Sequence, residues 1–579
     1  MHTTNKTVRR RSLPSAIHGL PNSLHPVLRR VYLARNLTNA TQLEQSLKGL
    51  LPFQGLNGLD RAVTLLEDAV VKNQRIVIVA DFDADGATSC TVAVRALRAM
   101  GTQNVAYVIP NRIIHGYGLT PAIVEVAATF SPNLLVTVDN GISSINGVNA
   151  AKALGMQVLI TDHHLPGLEL PCADAIVNPN CPGNDFPSKN LAGVGVIFYV
   201  MLALRARLRA RGWFGLALPE PNLGTLLDLV ALGTVADVVP LDHNNRILVA
   251  QGLARIRAGT MCAGIAALLA VAGRTPERVN STDLGFFVGP RLNAAGRLED
   301  MTLGVECLLT DDAIQAKGFA ARLDTLNRER RVIEAEMQDQ ALEELERLDL
   351  EGEMELPWGL ALYDETWHPG VIGILAARIK DRLNRPVIAF APGSEGELRG
   401  SARSIPGLHI RDTLEAIAAQ QPKLLSRFGG HAMAAGLSLP QNHLTAFATA
   451  FDAEVHRRLT PDDLCGVILS DGTLAPADFT LELAELLHNG GPWGQGFPEP
   501  TFDGVFQCLG SRVVGERHLK LRVCPTEGNN SFDAIAFNSA EHLFPTPGSY
   551  LHLAYRLDIN QYRDNRNLQL VVEYLQLAN

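Results

Sequence analysis

The segment from Arg75 to Cys90, R-I-V-I-V-A-D-F-D-A-D-G-A-T-S-C, joins an apolar run directly to three acidic residues. Ile76 to Ala80 are mostly β-branched, which is typical of a strand buried on both faces of a parallel sheet. Asp81, Asp83 and Asp85 then alternate with other residues. In an extended segment this spacing points the three carboxylates to one side. We therefore predict an α/β fold with an acidic cluster at the end of this strand.

This acidic cluster is a candidate metal site. Three like charges on one face repel one another unless a cation lies between them, and oxygen ligands at the carboxyl end of a strand suit Mg²⁺ or Mn²⁺. Gly86 allows a turn, and the residues from Thr88 to Met100 are expected to form the next helix. Taken alone, the segment is also compatible with an acidic turn exposed to solvent.

Length and composition limit the class of protein. A chain of 579 residues is too long for one core, and three or four domains are expected. The net charge of −9 gives no global indication of nucleic-acid binding. Eight cysteines are scattered without zinc-like spacing, which favours reduced thiols in a cytoplasmic protein. No apolar run is long enough for a membrane span, so no membrane partner is expected.

Further strands end in ionisable residues. Strands are predicted at 105–109, 134–138 and 158–161; the second is followed by Asp139 and the third by Asp162, His163 and His164. Ligands bind in the crevice at the carboxyl ends of strands in an open α/β sheet, so these groups can meet there. In the apolar segment 226–241, Asp237 is a further candidate ligand, whereas Asp228 is interpreted as a hydrogen-bonded structural residue.

Four motifs resemble, in order, those of the DHH phosphoesterase superfamily: D-x-D-x-D-G at 81–86, V-D-N-G at 138–141, D-H-H at 162–164 and T-V-A-D-V-V-P at 234–240. Others resemble its bacterial RecJ branch: V-I-P-N-R at 108–112, N-P-N at 178–180, L-A-G-V-G-V at 191–196, G-P-R-L-N-A-A-G-R at 289–297 and F-G-G-H-A-M-A-A-G at 428–436. The resemblance covers almost the whole chain from about residue 25. Ala80 stands where the branch more often has Gly. Val77 replaces a His of the small DHH phosphatases, which argues against that group.

The resemblance implies a metal-dependent exonuclease that degrades single-stranded DNA in the 5′ to 3′ direction to mononucleotides, in DNA recombination and repair. It implies two divalent ions, Mg²⁺ or Mn²⁺, and the implied metal ligands are Asp81, Asp83, Asp85, Asp139, His163, His164 and Asp237. Asp139 matches the bridging carboxylate and, with His163 and His164, is assigned to catalysis. Asp162 would support the ligands or coordinate weakly.

The same resemblance assigns residues to nucleic-acid binding. Ser401 and Arg403 would hold the terminal nucleotide, His431 would lie near the scissile phosphate, and Arg112 is a candidate for the 5′-phosphate. Arg291 and Arg297 are candidates for phosphate binding, with structural salt bridges as an equal alternative. Partners would be single-stranded DNA with a 5′ end, a single-stranded-DNA-binding protein and a DNA helicase.

The predicted architecture is multidomain: a DHH parallel-sheet domain and a DHHA1 α/β domain joined by a long helix, followed by a C-terminal OB-type β-barrel. Helical spacing of apolar residues predicts the long helix, and five β-like runs predict the barrel. Arg517 and Lys520 are candidate DNA contacts within a basic ribbon, with Phe537, Tyr555 and Tyr562 as stacking platforms or, more simply, core residues. The predicted limits are 1–50 for a flexible basic start with short helices, 51–310 for DHH, 311–350 for the helix, 351–460 for DHHA1 and 465–579 for the barrel.

Two other functions fit parts of the pattern. One is a DHH phosphoesterase acting on short oligonucleotides, cyclic dinucleotides or polyphosphate, a class that usually has a shorter chain without a barrel. The other is a catalytically silent DHH scaffold at replication complexes. A complete set of carboxylates and imidazoles argues against the scaffold, which has no chemical need for such a cluster.

Overall fold

The structure, a computed structural model, describes residues 6–14, 19–112, 114–350, 356–393, 396–515, 517–537, 539, 544–562 and 565–578. The chain divides into two compact units. The first consists of Gln45–Leu459 with Gly494–Gly496, and the second of His2–Glu44, Thr460–Trp493 and Phe497–Asn579. Within the described part of the chain, no helix has both the length and the apolar character needed to cross a membrane.

A parallel sheet of five strands forms the centre of the DHH region. Its order is Val105–Val108, Ile76–Ala80, Leu134–Val138, Gln157–Thr161 and Ala175–Val177. The second and third strands of this order are buried along their full length, as expected for a sheet covered on both faces. The predicted parallel sheet is confirmed. Its fifth strand, only three residues long, was not predicted.

Helices cover this sheet and extend the DHH region beyond it. Their bounds are Leu59–Val71, Ala84–Ala99, Pro121–Ala128, Ile145–Ala153, Gly193–Ala210, Leu227–Ala236, His243–Arg257, Ala263–Val271, Ser281–Asp283, Gly289–Leu298 and Thr302–Leu309. Val79 and Leu135 on one face of the sheet pack with Ile123 and Val148 from two of these helices. Burial of such side chains contributes about 1.5–3 kcal/mol each to folding.

The acidic segment does not continue as an extended strand. Asp83 caps a helix that begins at Ala84, because its side chain accepts a hydrogen bond of 3.0 Å from the Gly86 N–H. Asp85 therefore lies in the first turn of the helix rather than in line with Asp81. The prediction that the helix starts at Thr88 after an extended run was wrong, because the capping hydrogen bond favours helix over strand at this point.

One helix of 38 residues, Ala313–Leu350, follows the DHH region. At 1.5 Å per residue it is about 57 Å long. Leu323 is buried in its first half, and Met337 and Ala341 in its second half belong to the core of the next region. The predicted long connecting helix is confirmed.

The DHHA1 region is a mixed five-stranded sheet with three helices. The strand order is Arg427–Gly430, Ala434–Pro440, Glu397–Arg403, Val387–Pro392 and Leu360–Tyr363, and only the last pair is parallel. The helices are Ile372–Leu383, Ile410–Gln420 and Leu444–Arg458. Ile388, Ala389 and Phe390 are fully buried in the fourth strand of this order. The sheet thus has a covered centre, and its first three strands carry more exposed residues.

The second unit contains a closed barrel of five strands, as the OB-type prediction requires. Their order is Phe502–Val514, His518–Pro525, Phe532–Ala536, Asn565–Leu577 and Tyr550–Tyr562. Tyr555 is buried against Phe502 and Phe506, so it is a core residue and not a stacking platform. Phe537 is about half exposed, and the side chain of Tyr562 lies outside the described residues.

The N-terminal segment belongs to this second unit. Lys6–Arg10 is a strand that pairs in parallel with Gly466–Ser470, and Pro26–Leu33 is a helix. A second helix of the unit spans Leu481–Asn489. The prediction of a flexible N-terminal segment is wrong for Lys6–Arg10. This strand makes backbone hydrogen bonds with Gly466–Ser470, which is distant in sequence.

Candidate metal centre and nucleic-acid cleft

The seven predicted metal ligands meet at the carboxyl edge of the parallel sheet. Their ligand atoms form three groups, each with all atoms within 4.8 Å of one another: Asp139, His163 and His164; Asp85, His163 and Asp237; and Asp81, Asp83 and Asp139. Asp139 and His163 each occur in two groups. The shared residues make one continuous cluster that can hold more than one cation.

Asp139 has an unusual backbone. Its φ of 61° lies in the left-handed region, which residues other than glycine rarely adopt. Its N–H donates to the carbonyl of Thr161 on the next strand at 3.0 Å. The side chain of Asn140 donates to the carbonyls of Val79 and Val138 at 3.1 and 2.9 Å. These bonds join the ends of neighbouring strands and fix the strained turn that presents the Asp139 carboxylate.

Asp85 is held by the start of the helix Gly193–Ala210. The N–H groups of Gly193 and Val194 donate to its two carboxylate oxygens at 2.6 and 3.0 Å. A helix N-terminus carries partial positive charge and unsatisfied N–H groups, so it stabilises a carboxylate there. A Cβ at Gly193 would lie 2.5 Å from Cβ of Asp139. Glycine is therefore required for Asp85 and Asp139 to lie on either side of this residue.

The two histidines have different surroundings. Nε2 of His163 lies 3.1 Å from Oδ1 of Asp139 and 3.4 Å from Oδ2 of Asp237. Nδ1 of His164 lies 2.8 Å from Oδ1 of Asp162, which also accepts the backbone N–H groups of both histidines. Asp162 therefore orients His164 from behind, as carboxylates commonly do for metal-binding histidines.

Burial and mutual repulsion perturb the cluster. Burial raises the pKa of Asp81, Asp85 and Asp139 well above the usual range, and neighbouring aspartates raise it further. Burial lowers the pKa of His164, but the hydrogen bond with Asp162 and nearby carboxylates outweigh it and raise the value to about 9. The cluster is electrostatically unfavourable by itself, so a cation would relieve the repulsion.

Several buried ligand atoms lack hydrogen bonds. Among the described residues, Oδ1 of Asp81, Oδ1 of Asp139, Nε2 of His163 and Oδ2 of Asp237 have no hydrogen-bond partner. Unsatisfied buried polar atoms are rare and call for a bound group. Carboxylate oxygens with imidazole nitrogens are ligands for Mn²⁺, and the carboxylates also suit Mg²⁺. The donor set therefore fits divalent cations.

A cleft of about 780 Å³ opens over this cluster. Asp81, Asp83, His164 and Asp237 line one part of it, and residues of the DHHA1 region line another, including Ser401, Arg403 and His431. The ring of His431 stacks on that of His164 with centroids 5.7 Å apart. The structure thus brings the predicted DHHA1 residues to the predicted metal centre.

Three arginines form a cationic group in the cleft. Cζ of Arg112 lies 4.0 Å from the centre of the Phe82 ring, and Arg403 donates to Oγ of Ser401 at 3.1 Å. Arg297 donates to the carbonyl of Gly370 at 3.0 Å. Burial and repulsion by the other two arginines lower the pKa of Arg297 to about 9. In the part of the chain that is described, none of the three has an ion-pair partner, so the group is suited to an anion.

Other predicted contacts lie elsewhere. Arg291 forms an ion pair of 2.9 Å with Asp324 of the long helix and is not among the residues that line the cleft. Arg517 is exposed on the barrel of the second unit, and Lys520 forms an ion pair of 2.9 Å with Asp533. DNA contacts by these three residues stay predictions. Asp228 accepts a hydrogen bond of 2.7 Å from the Cys262 N–H, consistent with a structural role.

Among the cleft residues that the sequence did not indicate are Tyr117, Arg399 and Arg427. The Tyr117 hydroxyl lies 3.3 Å from Nε2 of His164. Arg399 could have been found from the run R-G-S-A-R at 399–403, because alternation in a strand places it on the same face as Ser401 and Arg403. No comparable local signal marks Arg427.

Models of three protein families match the chain. They are the DHH family, N-terminal domain, over residues 75–234, the DHHA1 domain over 358–457, and the RecJ OB domain over 470–574. The chain is 54% identical over 573 residues to the single-stranded-DNA-specific exonuclease RecJ of Dickeya dadantii (strain 3937), and the match covers 99% of each chain. It is 53% identical over 556 residues to the protein of the same name from Escherichia coli (strain K12), covering 96% of each.

The chain belongs to the RecJ family.

Solved structures of RecJ share this fold. RecJ from Thermus thermophilus in complex with Mn²⁺ matches with a TM-score of 0.78 and 30% identity, over 96% of this chain and 76% of that chain. The same protein in complex with Mg²⁺ matches with a TM-score of 0.73 and 29% identity, over 96% and 75%. The DHH, DHHA1 and OB architecture predicted from the sequence is therefore that of RecJ.

Proposed function

We propose that this RecJ family member is a metal-dependent exonuclease that degrades single-stranded DNA from its 5′ end to mononucleotides. One observation carries the proposal: a cleft opens over a cluster of seven potential metal ligands, and it also holds a group of arginines that have no ion-pair partner among the described residues. Carboxylates and histidines can hold the cations, and the arginines can hold phosphate. The names of the curated relatives, which are single-stranded-DNA-specific exonucleases, support it.

The ligand groups can hold two divalent cations, Mg²⁺ or Mn²⁺. Asp81, Asp83 and Asp139 would hold one cation, and Asp85, His163 and Asp237 would hold the other. When bound, two such cations lower the pKa of a coordinated water and neutralise charge on the scissile phosphodiester. The RecJ structures with Mn²⁺ and with Mg²⁺ support this assignment.

The residues of the chain itself position the substrate. Arg112, Arg297 and Arg403 bind the 5′-terminal phosphate, which places the first phosphodiester over the carboxylates. His431 lies against His164 and contacts the same phosphodiester. Asp85 and Asp139 are each 1% exposed, so the carboxylates lie at the bottom of the cleft. A single strand can reach this depth, whereas a duplex is excluded sterically.

The proposal is tested by product analysis with single-stranded DNA labelled at either end, together with matched duplex and a dinucleotide, in Mg²⁺ or Mn²⁺. Early release of labelled mononucleotide from the 5′-labelled strand alone, abolished by chelator, is the expected result. Release from the 3′-labelled strand first would refute the direction. Cleavage of the dinucleotide alone would favour a small-substrate phosphoesterase, and DNA binding without cleavage would favour a scaffold.

Location and partners are proposed on separate grounds. A cytoplasmic location is supported by the eight cysteines, all of which are unpaired, as expected in a reducing compartment. A single-stranded-DNA-binding protein and a DNA helicase stay predicted partners, because both would supply single strands with a free end.

A further inference from the structure

One strand of the DHHA1 sheet presents polar residues at regular intervals along the cleft. In Glu397–Arg403 the residues Arg399, Ser401 and Arg403 are partly exposed and line the cleft, whereas Leu398, which precedes them, and Ala402, which lies between the last two, are buried. Alternate residues of a strand lie about 6.6–6.8 Å apart. This interval is comparable with the distance between successive phosphates of extended single-stranded DNA. The polar side chains of this β-strand therefore have about the same spacing as the phosphates of the proposed substrate.

Neighbouring strands continue this arrangement as cross-strand rows. Arg403 pairs with Ala434, Ser401 with Gly436 and Gly429 beyond it, and Arg399 with Ser438 and Arg427 beyond it. We call the row of Arg399, Ser438 and Arg427 the distal rung. It lies about 13 Å along the strand from the row of Arg403.

The row between the two cationic rows is nearly free of side chains. A Cβ at Gly429 or at Gly436 would meet no atom within 4 Å, so the sheet surface is open there. Backbone and bases of a single strand can approach this surface closely. The row of Ser401, Gly436 and Gly429 is thus an open surface between Arg403 and the distal rung.

The charge of the distal rung is largely uncompensated. Arg399 forms no ion pair with any described residue. The side chain of Arg427 is 82% exposed, and the carboxylate with which it pairs among the described residues, that of Glu397, lies 3.9 Å away. An arginine left without a carboxylate in a cleft is available for a phosphate.

We propose that the distal rung binds the backbone phosphate two nucleotides along the strand from the phosphate held at Arg403. The inference rests on the proposed function, because it assumes a single strand in this cleft. The rung then secures the strand as it advances after each cleavage. Substrates too short to reach it gain nothing from the rung.

The first test compares R399A and R427A with R382A, which removes an exposed arginine of the same region that does not line the cleft. For a 5′-phosphorylated decanucleotide, R399A and R427A should each raise KM about tenfold with little change in kcat. For a dinucleotide they should behave as wild type. R382A should change neither. Equal losses on both substrates, or none on the decanucleotide, would overturn the inference.

The salt dependence of DNA binding provides a second test with the same variants. Each lost phosphate contact should lower the slope of log K against log salt for the decanucleotide by about 0.7. Binding is measured in chelator, so this test does not require hydrolysis. If wild type cleaves no DNA, the proposed function fails, whereas the binding slopes still test the rung. An unchanged slope in both arginine variants would contradict it.

Uncharged linkages in the DNA backbone show which phosphate the distal rung contacts. Decanucleotides carrying one methylphosphonate, moved stepwise from the 5′ end, should show a loss of affinity at the phosphate two nucleotides from the terminal one. R399A should be less sensitive than wild type at that position, where Arg427 remains, and should retain full sensitivity at the terminal phosphate. Equal sensitivity of R399A and wild type at every position would place the contact elsewhere.

A substitution that is expected to strengthen DNA binding distinguishes phosphate binding by Arg427 from a structural role. Glu397 competes with phosphate for Arg427, so E397Q should tighten decanucleotide binding severalfold and leave the dinucleotide unaffected. A purely structural role of the Arg427–Glu397 pair predicts weaker binding in both E397Q and R427A. That pattern would overturn the proposal.

Discussion

At the scale of single residues, the metal centre combines charge repulsion with backbone strain. Asp139 has a φ of 61° and is 1% exposed among other carboxylates. Asp85 is held by N–H groups of Gly193 and Val194. Such an arrangement lowers the stability of the protein without metal and is retained for function.

Removing one charge should therefore stabilise the metal-free protein. We expect D139N to raise the free energy of unfolding in chelator by about 1–2 kcal/mol, because it removes one of several buried carboxylates that repel one another. Because the folded-state pKa of Asp139 is raised above 3.8, the penalty is absent below that pH and grows as pH rises. The gain should be larger at pH 8 than at pH 5, measured by denaturant unfolding. D311N, at an exposed site, is the control.

Gly193 should be essential to the centre although it carries no functional group. In G193A a Cβ would lie 2.5 Å from Cβ of Asp139, so Asp85 and Asp139 must separate. We expect hydrolysis to fall about 10–100-fold with weaker Mn²⁺ binding, the range seen when support of metal ligands is lost. G215A is the control, because a Cβ there meets no atom within 4 Å. Normal Mn²⁺ affinity in G193A would refute this role.

Most of the site was predictable from residues, because the acids and histidines lie in short motifs that follow strands. Asp139 and His163 are predictable in this way, and Asp237 is predictable because it is a carboxylate in an apolar segment. The role of Gly193 was not, because it depends on how close the helix start lies to two carboxylates from other segments. Arg427 was missed for the same reason: only the pairing of its strand brings it to the cleft.

At the scale of elements, a buried polar network attaches the long helix to the DHHA1 region. Glu334 is 7% exposed and accepts from Arg330 of the same helix at 2.9 Å and from Arg378 of Ile372–Leu383 at 2.8 Å. Arg330 is itself 8% exposed. The position of the DHHA1 residues over the metal centre depends on such contacts.

Loss of Glu334 should be strongly destabilising. E334A would leave the Arg330 guanidinium buried and without its carboxylate, which costs about 3–5 kcal/mol. We expect a matching decrease in the free energy of unfolding by urea. E336A, two residues away and exposed on the same helix, should be close to wild type. Equal stability of the two variants would show that the network is dispensable.

Element boundaries were predicted less well than element types. The helix after the first strand begins four residues earlier than expected, because Asp83 caps it. The strand Ala175–Val177 has too few residues to show a pattern. Long, regular elements such as Ala313–Leu350 were predicted because apolar residues recur along them at helical spacing.

At the scale of the whole molecule, the second unit is built from segments distant in sequence. Lys6–Arg10 pairs with Gly466–Ser470, and Arg35 forms an ion pair of 2.8 Å with Asp471 in which the side chains are 1% and 0% exposed. Sequence alone could not predict these contacts, because no local pattern links residues at opposite ends of a chain. The N-terminal segment is thus part of the unit that contains the barrel.

Breaking this contact should affect one unit and not the other. R35A leaves the Asp471 carboxylate buried without its main partner, so the second unit should lose about 3–5 kcal/mol. Hydrogen exchange should increase in the barrel strands and not in the parallel sheet. Hydrolysis of a short oligonucleotide should be unchanged. R9A, at an exposed residue of the N-terminal strand, is the control. Loss of the short-oligonucleotide activity in R35A would contradict this division.

The most direct test of the proposed activity measures binding and cleavage of a 5′-phosphorylated single strand in the same samples of wild type and D139N with Mn²⁺. We predict that D139N binds the strand through the arginines of the cleft but releases no mononucleotide, while wild type does both. Release of mononucleotide by D139N at the rate of wild type would contradict the assignment of hydrolysis to this carboxylate cluster.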